Sequence, residues 1–127
     1  MEEASRYTIA VVDDDFRMLE SLEKLLEAAG HRVHVFVSAE AFLEAKIVEA
    51  VDCLISDVGM PGMGGFELSR LIHLCHPRLP IFLITGRKEL IGWQTGGHVS
   101  SSRFFVKPFD GKQLLRAVAV ALTEASK

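Results

Sequence analysis

Five short apolar runs mark the chain, and the segments between them carry apolar residues at helical spacing. Thr8-Ile9-Ala10-Val11-Val12, Cys53-Leu54-Ile55-Ser56-Asp57, Ile81-Phe82-Leu83-Ile84 and Arg103-Phe104-Phe105-Val106 are brief and nearly continuous. That pattern predicts strands covered on both faces, as in a parallel sheet. His31 to Val37 differs: Val33, Val35 and Val37 alternate with His34 and Phe36, which predicts a more exposed edge strand.

The intervening segments read as helices. Met18, Leu19, Leu22, Leu25, Leu26 and Ala29 form one stripe, closed by Gly30. Ser38 caps a helix expected to run to about Val48, with Ala41, Phe42, Ala45 and Ile47 or Val48 inward. Gly62 to Gly65 reads as a flexible loop, followed by a helix from about Phe66 to Cys75 with Leu68, Leu71, Ile72 and Cys75 inward. Pro77 and Pro80 punctuate its exit. Arg87 to Ser102 holds Leu90, Ile91 and Trp93 among three glycines and reads as a short or irregular helix. Asp110 caps a last helix bearing Leu114, Leu115, Val118, Ala121 and Leu122. Five strand–helix repeats predict an α/β fold built from right-handed parallel crossovers, an open sheet with helices on both faces. No linker, repeat or low-complexity stretch divides the chain, so residues 1–127 read as one domain with a core of about 8–122.

Composition narrows the function. With 127 residues, 49% of them apolar, the chain can bury a core and is not disordered. A net charge of −3 gives no electrostatic case for nucleic acid or an anionic membrane surface. No apolar run is long enough to span a bilayer, and Met1 to Arg6 lacks the apolar core of a signal peptide, so the expected location is the cytoplasm. Cys53 and Cys75 are expected to be buried reduced thiols, being in no metal-ligand or redox spacing. The histidines form no ligand cluster; His73 and His76 share a helix face without a third ligand.

The candidate chemistry lies where the strands end. In a parallel sheet the carboxyl ends share one edge, where open α/β folds bind ligands. Asp57 taken alone is a turn residue or a reactive group. Asp13-Asp14, Asp57, Thr85 and Lys107 together, from four strand ends, exceed what capping requires. Clustered carboxylates repel unless a cation is present, and an all-oxygen donor set suits Mg²⁺ or Mn²⁺ rather than zinc. Such a centre binds phosphoryl groups, with Lys107 and Thr85 placed to contact their oxygens. Neither a P-loop nor a GxGxxG run is present to hold a nucleotide. A carboxylate can itself attack phosphorus, and Asp57, alone at the end of a central strand, is the best candidate; Asp13 and Asp14 are better placed as metal holders, and Asp15 as the start of the first helix.

From Thr8 to about Leu122 the chain resembles the receiver domain of two-component response regulators. The matching residues are Val12-Asp13-Asp14-Asp15, Asp57-x-x-Met60-Pro61-Gly62-Met63-x-Gly65, Thr85-Gly86 and Lys107-Pro108-Phe109. The resemblance implies a flavodoxin-like doubly wound (βα)5 fold with strand order 2-1-3-4-5. It implies that Asp57 accepts a phosphoryl group from a histidine kinase, a phosphotransfer protein or a small donor such as acetyl phosphate. Asp14, Asp57 and the Gly59 carbonyl would bind Mg²⁺ directly, with Asp13 acting through water. It also implies a cis Lys107–Pro108 bond. Such a domain is no general enzyme and catalyses only its own phosphorylation and dephosphorylation. The chain departs from the family pattern at Gly64, where Asp or Ser is common, and at Ser100-Ser101-Ser102, which replaces the usual Gly-Ala. Gly59 and Arg87 stand where family residues flank the path of the hydrolytic water.

Phosphorylation is expected to draw in Thr85 and to let Phe104, at the family's aromatic switch position, turn inward; plain sheet packing accounts for Phe104 equally well from its residue type. The changed surface would lie on the last two helices and the last strand, serving a homodimer, an effector domain or another partner. Two alternatives use the same residues. One is a Mg²⁺-dependent aspartyl-phosphate hydrolase of the haloacid dehalogenase type, for which Asp13 and Asp15 have the spacing. The other is a flavodoxin-like ligand binder that takes no phosphate.

Overall fold

In the computed structural model, residues 6–86 and 103–125 are described. Five parallel strands stand in the order β2-β1-β3-β4-β5: β1 (Thr8–Val12), β2 (Arg32–Phe36), β3 (Cys53–Asp57), β4 (Ile81–Thr85) and β5 (Phe104–Val106). This is the doubly wound order expected, with β2 at an edge and half-exposed as its alternation required. The helices among the described residues are α1 (Phe16–Ala28), α2 (Ala39–Ala45), α3 (Gly65–Cys75) and α4 (Gly111–Ala125), with a 3₁₀ turn at Val48–Ala50. The helix expected within Arg87 to Ser102 lies outside the described residues.

The continuous apolar runs have a simple cause. Successive residues of a strand point to opposite faces, and here both faces are covered. Ile9, Val11, Cys53, Ile55, Phe82 and Ile84 pack under Leu19, Leu22 and Leu26 of α1 and Leu114, Val118 and Leu122 of α4. Ala10, Val12, Leu54, Leu83 and Phe104 face the other way, against Phe42 of α2 and Leu68 and Ile72 of α3. Every residue of β3 and of β4 is buried.

Three local expectations need correction. Helix α2 stops at Ala45, not near Val48, because Lys46 turns left-handed at φ 54° and its N–H donates to Leu43 O. Ala39 and Phe42 are its buried residues, and Ala45 is exposed. On α3 the inward stripe is narrower than expected: Leu68 and Ile72 are buried, whereas Leu71 and Cys75 are exposed. A helix this short seats one narrow row against the sheet, and Leu71 and Cys75 lie beyond its edge. Only Cys53 is therefore a buried thiol; burial pushes its pKa up to about 12.

Candidate functional site

Strand register assembles the site. Val12 pairs with Ser56, so the next residues, Asp13 and Asp57, emerge side by side from β1 and β3. Asp57 pairs with Ile84 and Thr85 with Val106, so Thr85 and then Lys107 follow along the same edge. The Lys107 N–H donates to Thr85 O at 2.8 Å, and the Lys107–Pro108 peptide is cis, as the resemblance implied.

Asp57 is nearly buried, with 6% of its surface exposed. The Lys107 Nζ stands 2.9 Å from its Oδ1, and the Gly59 N–H donates to its Oδ2 at 3.1 Å. Asp13 is deeper, at 1% exposure. Its Oδ1 accepts from the Asp15 N–H at 3.0 Å. Its Oδ2 is buried with no hydrogen bond among the described residues; the Lys107 ammonium stands 3.6 Å away. Asp14 is exposed at the rim. One carboxylate oxygen from each of Asp13, Asp14 and Asp57 lies within 4.8 Å of the others.

The electrostatics follow from burial and crowding. Burial, more than repulsion, raises the Asp13 carboxyl to a pKa of about 6; the Asp15 N–H opposes this, the Asp57 charge adds to it, Lys107 opposes it and Asp14 adds to it. The sequence pointed to repulsion alone, because depth cannot be read from spacing. Burial also works against the Lys107 charge, but the hydrogen bond to Asp57 and the attraction of Asp57 and Asp13 outweigh it and raise its pKa. A buried anion with an orphaned oxygen, beside two further carboxylates, is a donor set that fits a hard divalent cation. Asp13, Asp14 and Asp57 are the side chains that could hold it.

The other expected residues are placed as follows. Thr85 ends β4 and is buried at 3% exposure. By register it shares a sheet face with Phe104, two residues back on the neighbouring strand. Phe104 is itself buried, 6.2 Å from the Phe66 ring between centroids. Asp15 is the N-cap of α1, its Oδ1 accepting from the Arg17 N–H. Arg87 lies outside the described residues. Two further residues bear on the site: Gly65, quoted above only as part of a loop and of the matching motif, and Glu40, which had not been singled out. A Cβ on Gly65 would clash with the Asp57 carbonyl oxygen, so α3 can approach the carboxyl end of β3 only as glycine. A glycine immediately before the expected helix was the available signal. Glu40, on α2, reaches the loop after β3, and no local sequence signal announced it.

A family model for the response regulator receiver domain matches residues 9–119. Among curated proteins, the chain is 34% identical to the transcriptional regulatory protein FixJ of Bradyrhizobium diazoefficiens, over 92% of this chain and 57% of FixJ. It is 38% identical to the response regulator protein TmoT of Ectopseudomonas mendocina, over 90% of this chain and 52% of TmoT. The chain thus spans a little over half the length of these relatives. Among solved structures, a BeF3-activated DrrB receiver domain superposes with a TM-score of 0.81 at 30% identity, covering 93% of this chain and 98% of DrrB's. The response regulator StyR gives a TM-score of 0.83 at 34% identity, covering 94% of this chain and 60% of StyR's.

Proposed function

The chain belongs to the response regulator receiver domain family, and we propose that Asp57 is the carboxylate through which it receives its signal. The domain belongs to two-component signalling and is a signalling module rather than a classical enzyme. The observation that carries the residue assignment is the contact of Lys107 Nζ with Asp57 Oδ1 at 2.9 Å, inside a pocket that two further carboxylates complete.

An Asp57 oxygen attacks the phosphorus of a donor in line with the leaving group. A P–O bond to the carboxylate forms as the donor's P–N bond, or P–O bond in acetyl phosphate, breaks, leaving an acyl phosphate. The Lys107 ammonium is freed from ion pairing to meet the charge on a phosphoryl oxygen, and the Thr85 hydroxyl donates to another. Asp13, Asp14 and Asp57, with the Gly59 carbonyl, would hold Mg²⁺, or Mn²⁺ in its place; once bound it supplies positive charge beside the phosphoryl oxygens. Water attack on phospho-Asp57 returns the domain to its resting state, so the only reactions it catalyses are its own.

The partner in this reading is a sensor histidine kinase or phosphotransfer protein, in the cytoplasm. No described helix is long and apolar enough to cross a membrane. Residues 1–127 act as one receiver domain, and the output runs through β5, α4 and the preceding segment to a homodimer, an effector domain or another partner. The domain itself does not bind nucleic acid. Against the hydrolase alternative stands Asp15, which would have to be its second acid but whose Oδ1 caps α1.

Incubation with Mg²⁺ and acetyl phosphate, followed by intact mass measurement, tests the assignment. The expected result is one phosphoryl group gained by the wild type and none by Asp57→Asn. No gain in either protein sinks it.

A further inference from the structure

The loop between β3 and α3 carries Gly59, whose backbone serves Asp57. Its ends are held by main-chain bonds: the Val58 N–H donates to Ile84 O at 2.8 Å, and the Gly65 N–H to Val58 O at 3.0 Å. Met60 is buried in the core. Beyond it Pro61 and Gly62 are exposed, and Gly62 adopts φ +74°. At this outer bend a side chain from another element reaches in. Glu40 Oε2 accepts from the Met63 N–H at 3.0 Å, across 23 positions of sequence.

That contact is exposed, yet it joins two elements at a defined geometry. The base of Glu40 is fixed, because Ser38 caps α2 through the Ala41 N–H and Ala39 and Phe42 are buried on either side. Glu40 is exposed, and its Oε2 lies where a Cβ on Gly62 would stand 2.8 Å away, so the carboxylate sits close over the bend whose φ of +74° favours glycine. The Met63 N–H, followed by the Glu40 N–H, holds the Glu40 carboxyl below its usual pKa, as expected of a charged acceptor in use.

We propose that Glu40 is a positioning residue for the phosphorylation site: by holding Met63 it sets the loop on which Gly59 presents its N–H and carbonyl to Asp57 and to the cation. This rests on the receiver reading of Asp57 given above. Glu40 touches neither the phosphoryl group nor the metal, so it acts only through the loop.

The test uses the intact chain, Mg²⁺ alone and acetyl phosphate. Glu40→Ala removes the acceptor; Glu40→Gln keeps an oxygen at the same reach; Glu40→Asp keeps the first-turn charge but withdraws the oxygen by one methylene. Calorimetric Mg²⁺ titration should show Glu40→Ala and Glu40→Asp weakened by about tenfold, as for other groups that orient metal ligands, while Glu40→Gln stays near the wild type. Phosphorylation rates should follow the same order, and the Met63 amide should exchange faster in Ala and Asp but not in Gln. If Glu40→Ala fails to fold, the Asp and Gln pair decides the matter alone. Equal Mg²⁺ affinity in wild type, Ala and Asp overturns the proposal, as does equal loss in Gln and Asp. Should the wild type bind Mg²⁺ yet take no phosphoryl group, the Asp57 assignment fails while the Mg²⁺ series still judges Glu40. A wild type that binds no Mg²⁺ overturns both.

Discussion

The ammonium of Lys107 lies 2.9 Å from one oxygen of Asp57 and 3.6 Å from one oxygen of Asp13, so a single cation is shared by two nearly buried anions. Its loss leaves both anions facing each other with no counter-charge. Lys107→Met, which keeps the aliphatic stem, should lower the unfolding free energy in EDTA by roughly 1–3 kcal/mol, the cost of leaving a buried polar or charged group unpaired. Mg²⁺ should recover part of that loss by supplying charge to the same pocket. Phosphorylation by acetyl phosphate should slow by about 100-fold, as when other transition-state donors are removed. Urea denaturation with and without Mg²⁺, alongside mass-detected phosphorylation, measures both. An unchanged urea midpoint in EDTA would contradict the shared-cation account.

Asp13 makes the metal-free fold sensitive to pH. Its carboxyl titrates at about 6 instead of 3.8, chiefly because it is buried. A pKa raised on folding means that the protonated form favours the fold. That stability is fully present below about 3.8 and is lost as pH rises through about 6, roughly 3 kcal/mol in all. His31, whose pKa burial lowers, works the other way: its contribution is present above 6.5 and is lost as pH falls. The comparison is therefore made against Asp13→Asn. In EDTA the wild type should gain stability relative to Asp13→Asn as pH drops from 7.5 to 5, by roughly 1 kcal/mol. Excess Mg²⁺ should flatten the difference. Parallel pH curves in EDTA would show that Asp13 does not titrate in this range.

Gly65 and Gly86 stand near the same edge but differ in the space around them. A methyl on Gly65 would clash with the Asp57 main chain, whereas one on Gly86 would meet no atom of the described residues within 4 Å. Gly65→Ala should cost at least about 1–3 kcal/mol and slow phosphorylation by moving Asp57. Gly86→Ala should be neutral or stabilising by up to about 1 kcal/mol. Denaturant midpoints of the two variants decide this, and equal values would mean that α3 yields without strain.

Thr85 and Phe104 share a sheet face, and both are buried. On the proposed reading, Thr85→Ala should still accept a phosphoryl group at Asp57 but lose whatever phosphorylation-dependent self-association the wild type displays. Analytical ultracentrifugation of both proteins before and after phosphorylation provides the check. A response in Thr85→Ala equal to that of the wild type would remove Thr85 from the switch.

Much of this molecule is legible in its amino-acid order. Strands covered on both faces must be apolar throughout, so β1, β3 and β4 declared themselves as runs. Their order with intervening helices dictates parallel crossovers, and parallel strands bring Asp13, Asp57, Thr85 and Lys107 to one edge whatever the details. The misreadings arose where local pattern and tertiary seating diverge. Lys46-Ile47-Val48 continues the apolar spacing of α2, but the helix ends at Ala45 with a left-handed Lys46. Leu71 and Cys75 continue the spacing of α3 yet lie off the narrow strip that meets the sheet.

Element type and the shared edge follow from the sequence because they depend on periodicity and connection hand, which are properties of neighbouring residues. Distances across the site do not. That Asp13 is deeper than Asp14, that Lys107 sits nearer Asp57 than Asp13, that Gly65 must lack a side chain and that Glu40 reaches Met63 were all decided by strand register and helix packing. Those set the positions of residues tens of places apart, to within the few tenths of an ångström on which hydrogen bonds and ion pairs depend.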